Sequence, residues 1–267
     1  MKKRIISSAL ALAFLAALAV QALATSFSSP ARINAGCIDS GPLPSIAEQL
    51  AELGDARNYT PEQAAMAEKL HSAEALINAD ASADTERPIT RATTWSSLPG
   101  TYLCYAQETY YYCMPASAKA VIQYLTGSSD SQTTIAAALG VVPINGGDFA
   151  NMKPYLNSKQ NKNSYIFMNS SITRSVMEQC LRSAIAVHSV PPVLRICAYP
   201  QNGDDWPYET GGHAIPLNAS KDDYSQFQAA DPAMQYIWPT SNPFLQRDTS
   251  LFYKMITYYN AYGGFLY

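Results

Sequence analysis

Hydrophobic positions change their rhythm part-way along the chain. From about residue 45 they recur three and four apart, the spacing of helices that bury one face, and from about residue 190 they gather in short runs that read as strands. The pattern predicts helices over 45–56 and 61–79, then over 115–125, 131–139, 147–156 and 172–188, with a short strand at 164–168 among them. Strands follow at 192–198, 213–219 and 226–230, while 251–259 alternates poorly and fits helix or strand. Helix-start signals reinforce the second helix: Thr60 suits an N-cap, Pro61 the first helical position and Glu62 the first turn, ahead of Ala65, Met66, Leu70 and Leu76. Gly127 closes the helix that opens near Pro115. From Trp95 onward, helices followed by strands describe an α+β domain.

The first 24 residues have a different character. Lys2, Lys3 and Arg4 make a charged start, 5–20 an apolar run, and Ala22, Leu23 and Ala24 a small-residue cleavage site, the layout of a secretory leader that leaves a mature chain starting near Thr25. The apolar run is shorter than the ~20 residues of a membrane span, which disfavours an uncleaved anchor. The expectation is an extracytoplasmic protein with no membrane association once the leader is gone. Residues 25–95 then hold the first two helices and a polar stretch, 79–95, that contains Arg87, Pro88 and Arg91 and reads as a linker. Two readings of this region stand side by side: a pro-segment cut near 87–91, or a permanent helical extension of the domain at 96–267.

Charge and cysteine content narrow the class. The chain has 18 basic and 21 acidic residues; three of the basic ones lie in the leader, so the mature chain keeps 15 against 21, a net charge of −6, with no basic run after residue 4. Nucleic acid is excluded as an expected partner. Five cysteines in an exported protein leave at least one thiol unpaired in a monomer. The preferred arrangement pairs Cys37 with Cys104 and Cys180 with Cys197, the latter two on a predicted helix and the next strand, and leaves Cys113 free. A bridge between Cys113 and Cys104 is the alternative.

Cys113 opens a predicted helix at Cys113-Met114-Pro115-Ala116-Ser117, where unpaired backbone N–H groups and positive potential favour a thiolate. Gln107 lies six residues before it, His213 follows Gly211-Gly212, and Asp231 precedes Pro232 eighteen residues beyond the histidine. A thiol, an imidazole to exchange its proton, an acid to orient the imidazole and a side-chain amide to hold an oxyanion form a nucleophilic set. His71, on a predicted surface helix, and His188, at a helix end, have ordinary structural explanations. The cysteines lack paired short spacings and no His-Glu-x-x-His occurs, so neither a metal nor another cofactor is expected.

These residues, in this order and context, resemble the papain-like cysteine peptidases, and most closely the bacterial C39-like family, over roughly 97–267. That family shows a glutamine, then Cys-Gly-Pro-Ala-Ser at a helix start, then Gly-His, then Asp-Pro; Met114 stands where the glycine is usual. The resemblance implies a papain-like fold, with a helical first lobe carrying the nucleophile and an antiparallel-sheet second lobe carrying His213 and Asp231, behind an N-terminal helical extension. It implies catalytic Cys113, His213, Asp231 and Gln107, a Cys113 thioester intermediate and a peptide or protein substrate. Two alternatives stay open: an amidase or an acyl or peptidyl transferase with the same triad, and a non-catalytic binding protein on a degenerate scaffold, suggested by Met114 and the aromatic run 110–112.

Overall fold

A computed structural model describes residues 42–80, 94–257 and 263–267, together with the backbone of 32–33 and 37–38. The expected leader, the cleavage site beside Thr25 and the linker arginines Arg87 and Arg91 lie outside the described residues. Two short strands come first, β1 (Arg32–Ile33) and β2 (Cys37–Ile38), then helices α1 (Ile46–Leu53) and α2 (Pro61–Asp80) and strand β3 (Trp95–Ser97). Helix α3 (Cys113–Thr126) is followed by α4 (Gln132–Ala138), β4 (Gly147–Asp148), α5 (Met152–Lys159), β5 (Phe167–Asn169) and α6 (Arg174–Arg182). The second half holds β6 (Val193–Ala198), β7 (Glu209–Lys221), β8 (Gln226–Ala230), α7 (Pro232–Ile237), β9 (Phe244–Asp248), α8 (Thr249–Thr257) and β10 (Gly264–Leu266).

The architecture is α+β: a helical N-terminal region precedes an antiparallel sheet of seven strands, to which β1 adds in parallel. The sheet runs β5-β10-β6-β7-β8-β9, with β3 on the far end of β7. β7 is its spine, because its 13 residues pair with β6 on one side, with β8 and β3 toward its end, and with β1 at Glu209 and Thr210. Two register shifts, at Ile196/Ala198 against β6 and at Leu217/Ala219 against β8, bend this strand. α3 packs across it. Met114, Ala118, Val121 and Ile122 of that helix share one apolar cluster with Phe149, Leu156, Tyr165, Val193 and Ala214, and the left-handed Gly127 ends it as the sequence anticipates.

The front helices are built into this body. Leu43 belongs to the same core cluster as Cys113, and Leu70 and Ala73 of α2 are buried. Gln49 of α1 stands in for a missing strand at the edge of the sheet: its amide donates to the Phe167 carbonyl at 2.9 Å, and its carbonyl accepts from the Phe167 N–H at 2.9 Å. Lys69 reaches from α2 to Asn163 Oδ1 at 2.8 Å and to the Tyr267 carbonyl at 2.6 Å. Such contacts dock the front helices on the domain and are compatible with both readings of this region, since a pro-segment also packs on the body it covers.

The expected disulfides do not form. Cys104, Cys113 and Cys180 carry free thiols, which removes both the Cys37–Cys104 and the Cys180–Cys197 pairs, as well as the alternative bridge between Cys113 and Cys104. The reason is direction. Cys180 points from α6 toward Lys69 and Tyr267, whereas the Cys197 thiol donates to the Gly211 carbonyl at 3.0 Å, so adjacency in sequence order does not bring the sulfurs together. The final strand was not legible either. β10 inserts between β5 and β6, and the chain reaches it through Gly263, where a Cβ would sit 1.5 Å from the Ile256 carbonyl oxygen, and Gly264 at φ 140°.

Candidate active site

The position of Cys113, the candidate nucleophile, follows from how α3 starts. Its N-cap, Tyr112, makes no side-chain capping bond, so the first-turn N–H groups and the positive end of the helix stay available beside Cys113. Pro115 in that turn has no N–H to satisfy. Helix periodicity then fixes the sulfur against the sheet. Cys113 and Ser117, four residues apart on one face, both meet Ala214: the Ala214 N–H points to Cys113 Sγ at 3.5 Å, and Ser117 Oγ donates to the Ala214 carbonyl at 2.9 Å. The residue before Ala214 on β7 is His213.

His213 and Asp231 form a buried pair, with Nε2 2.8 Å from Oδ1. β7 and β8 are neighbours in the sheet, and Asp231 follows the last residue of β8, where it caps α7 by accepting the Ala233 N–H at 2.9 Å ahead of Pro232. The cap alone would explain an Asp-Pro pair; the bond to His213 goes beyond it. The other carboxylate oxygen accepts from Tyr208 Oη at 2.5 Å. His213 Nδ1 is buried and has no hydrogen-bond partner, so the imidazole keeps one nitrogen for a further group. Cys113, His213 and Asp231 are each 0% exposed.

Gln107 is 2% exposed and is tied to the acid's loop, its N–H donating to the Pro232 carbonyl at 3.0 Å. One proton of its side-chain amide goes to the Thr109 carbonyl at 2.9 Å, while Oε1 is buried without a partner. The amide's second proton is left for another acceptor. Met114, which departs from the family pattern, is fully buried and turns into the core, where its end lies 3.4 Å from the Cβ position that Gly147 lacks. It fills space behind the thiol, so it gives no support to a reshaped binding cleft.

The other thiols compare poorly as nucleophiles. Burial pushes Cys104 up, and the Asp231 carboxylate pushes it further. Burial raises Cys180 to about 11, only partly offset by Tyr267 and Lys69. Both therefore hold their protons at neutral pH. His71 is exposed on α2 and pairs with Glu74, and His188 closes the turn after α6, so neither histidine approaches the set. Among the described residues, no three His, Cys, Asp or Glu side chains come together as a metal ion would require, and no helix is long and apolar enough to cross a membrane. Tyr208 is the neighbour that the sequence did not flag: as one of 18 tyrosines, its only signal was the aromatic Trp206-Pro207-Tyr208 step just before the glycines.

Comparison with protein-family models and with curated proteins finds no match to the chain.

Proposed function

We propose that the chain is an exported papain-like cysteine peptidase of the C39-like type, hydrolysing peptide bonds through a thioester on Cys113. The observation that carries this reading is the buried His213–Asp231 bond on the strand whose next N–H touches the Cys113 sulfur. The orientation suits the chemistry. Asp231 holds Nε2, so Nδ1 is the nitrogen that takes the thiol proton. The resulting thiolate attacks the substrate carbonyl carbon, and the charge that collects on the carbonyl oxygen is met by the Cys113 N–H at the uncapped helix start and by the Gln107 amide. His213 then protonates the leaving amine, the C–N bond breaks, and the acyl group remains on sulfur. Water, deprotonated by the same nitrogen, hydrolyses the thioester and returns the thiol. Export rests on the leader-like start of the sequence alone, since the cysteines supply no disulfide argument for it.

The complete burial of Cys113 favours one second reading, a binding protein whose thiol never meets a substrate. Iodoacetamide at mildly acidic pH separates the two. A peptidase is alkylated at Cys113 faster than a free cysteine peptide at pH 5.5, and a mixed peptide library is cleaved by the wild type and not by Cys113→Ala. Slow alkylation that follows ordinary thiol titration, with no cleavage of the library, refutes the peptidase.

A further inference from the structure

We propose that Tyr208 is a positioning residue for the acid–base pair, fixing the Asp231 carboxylate in rotation so that His213 presents Nδ1 to the thiol. The inference rests on the peptidase reading above and adds a fourth member to its set.

Asp231 is a fully buried carboxylate, and a buried charge persists only where donors replace the water it has lost. Its two oxygens are served from different sides. Oδ1 takes His213 Nε2 at 2.8 Å and the Ala233 N–H at 2.9 Å, and Oδ2 takes the Tyr208 hydroxyl at 2.5 Å. With both oxygens engaged, the carboxylate cannot turn about its last bond, and the oxygen facing the imidazole is fixed. The tyrosine itself is held. Its ring is fully buried between Trp206, at 6.3 Å, and Trp238, at 6.4 Å. It also meets the His213 ring edge-on, with centroids 5.9 Å apart and planes at 80°. One side chain therefore restrains both partners: the hydroxyl sets the acid and the ring sets the plane of the imidazole. Burial and the Asp231 charge hold the Tyr208 proton well above its ordinary titration range, so the hydroxyl stays a donor wherever the enzyme works.

Tyr208→Phe keeps the ring and removes the donor. Oδ2 is then a buried acceptor with no replacement, and the carboxylate leans harder on the His213 proton. The upper step of the pH profile for Cys113 alkylation is expected to move up by about one pH unit, and the rate at the optimum to fall about tenfold. Because Tyr208 acts through Asp231, the double variant Tyr208→Phe/Asp231→Asn should be no slower than Asp231→Asn alone. A purely structural tyrosine would lower the Tm and leave the profile unmoved. If Tyr208→Phe fails to fold, 3-fluorotyrosine at position 208 replaces it: a stronger donor of nearly the same shape, it should move the same step down. A superimposable profile in either variant, or losses that multiply in the double variant, overturns the inference while the peptidase reading stands. A wild-type profile with a single ordinary thiol step overturns both.

Discussion

Cys113 and Cys180 are both buried and both on helices, yet their surroundings differ. Cys180 lies inside α6, where the backbone N–H groups are already used by the helix, and burial holds its thiol up at about 11. Its basic neighbour, Lys69, is itself pulled down by burial to about 7 and spends its protons on Asn163 and the Tyr267 carbonyl. Cys113 lies at the uncapped start of α3, next to the strand that carries His213, whose imidazole is backed by a buried carboxylate with three donors. Burial alone silences a thiol; a helix N-terminus and an imidazole backed by an acid are what make a buried thiol useful.

Exchanging each sulfur for hydrogen tests that contrast most sharply. Cys113→Ala should lower peptide hydrolysis by roughly a thousandfold or more, because removing the nucleophile removes the covalent route altogether, while the Tm stays close to wild type. Cys180→Ala should leave the turnover unchanged. A Cys113→Ala protein that hydrolyses peptides at the wild-type rate would transfer the nucleophile's role elsewhere and dissolve the comparison.

The next effect is on stability and concerns the helices on which the Cys180 side is built. Leu70→Ala on α2 empties a fully buried site and should cost about 2–5 kcal/mol in urea unfolding, with the rate of Cys113 alkylation preserved in the folded protein. A chain beginning at Thr94 should aggregate, since it exposes the face covered by Leu43, Leu70 and Ala73 and strips Gln49 from the Phe167 backbone. A soluble, fully folded and faster-reacting shortened chain would mark the front helices as a removable pro-segment instead.

The two regions also differ in how far the sequence discloses them. The places of Cys113, His213 and Asp231 in the fold were legible because each sits in a local signal: a helix start, a double glycine ahead of a strand residue and an Asp-Pro step that caps a helix. The helix over 61–79 and the strand over 226–230 were legible for a similar reason, since their patterns are local, and they agree with Pro61–Asp80 and Gln226–Ala230. The Cys180 cluster was misread, because sequence order suggested a bridge to Cys197 while the packing of α2 and the last strand turned Cys180 toward Lys69 and Tyr267. Long-range placement also hid β10, whose neighbours β5 and β6 lie far back in the chain, and Tyr208, whose partner Asp231 is on the next strand's end. Gln49 shows the limit most plainly: a polar residue within a predicted helix gives no hint that it completes a sheet edge 118 residues away.

Returning to the sulfurs, Cys180→Ala should cost about 1–3 kcal/mol, the loss of one well-packed buried atom and its contacts, and a reducing agent should leave the wild-type Tm where it was. A large fall in Tm on reduction would restore a disulfide to the described part of the chain and remove Cys180 from the comparison as a thiol.

The smallest expected effect is a pH dependence confined to the same cluster. Lys69 titrates near 7 in the folded protein, against an ordinary lysine value of 10.5, so between those values the unfolded chain binds more protons than the folded one. Stability contributed through this group therefore rises as pH rises above 7 and is lost as pH falls through 7, the sign expected for a depressed folded-state pKa. The window from pH 7 to 8.5 is the useful one, because cysteine thiols begin to titrate above it in the unfolded chain. Lys69→Met removes the ionisable group and keeps the length of the side chain. Thermal unfolding of the two proteins across this window should show the wild type gaining on the variant with each step in pH, while the three histidines, common to both, cancel. Parallel curves would mean that Lys69 stays charged in the folded state. Cys180 would then sit beside a full positive charge, and its silence as a nucleophile would have to come from its place within the helix alone.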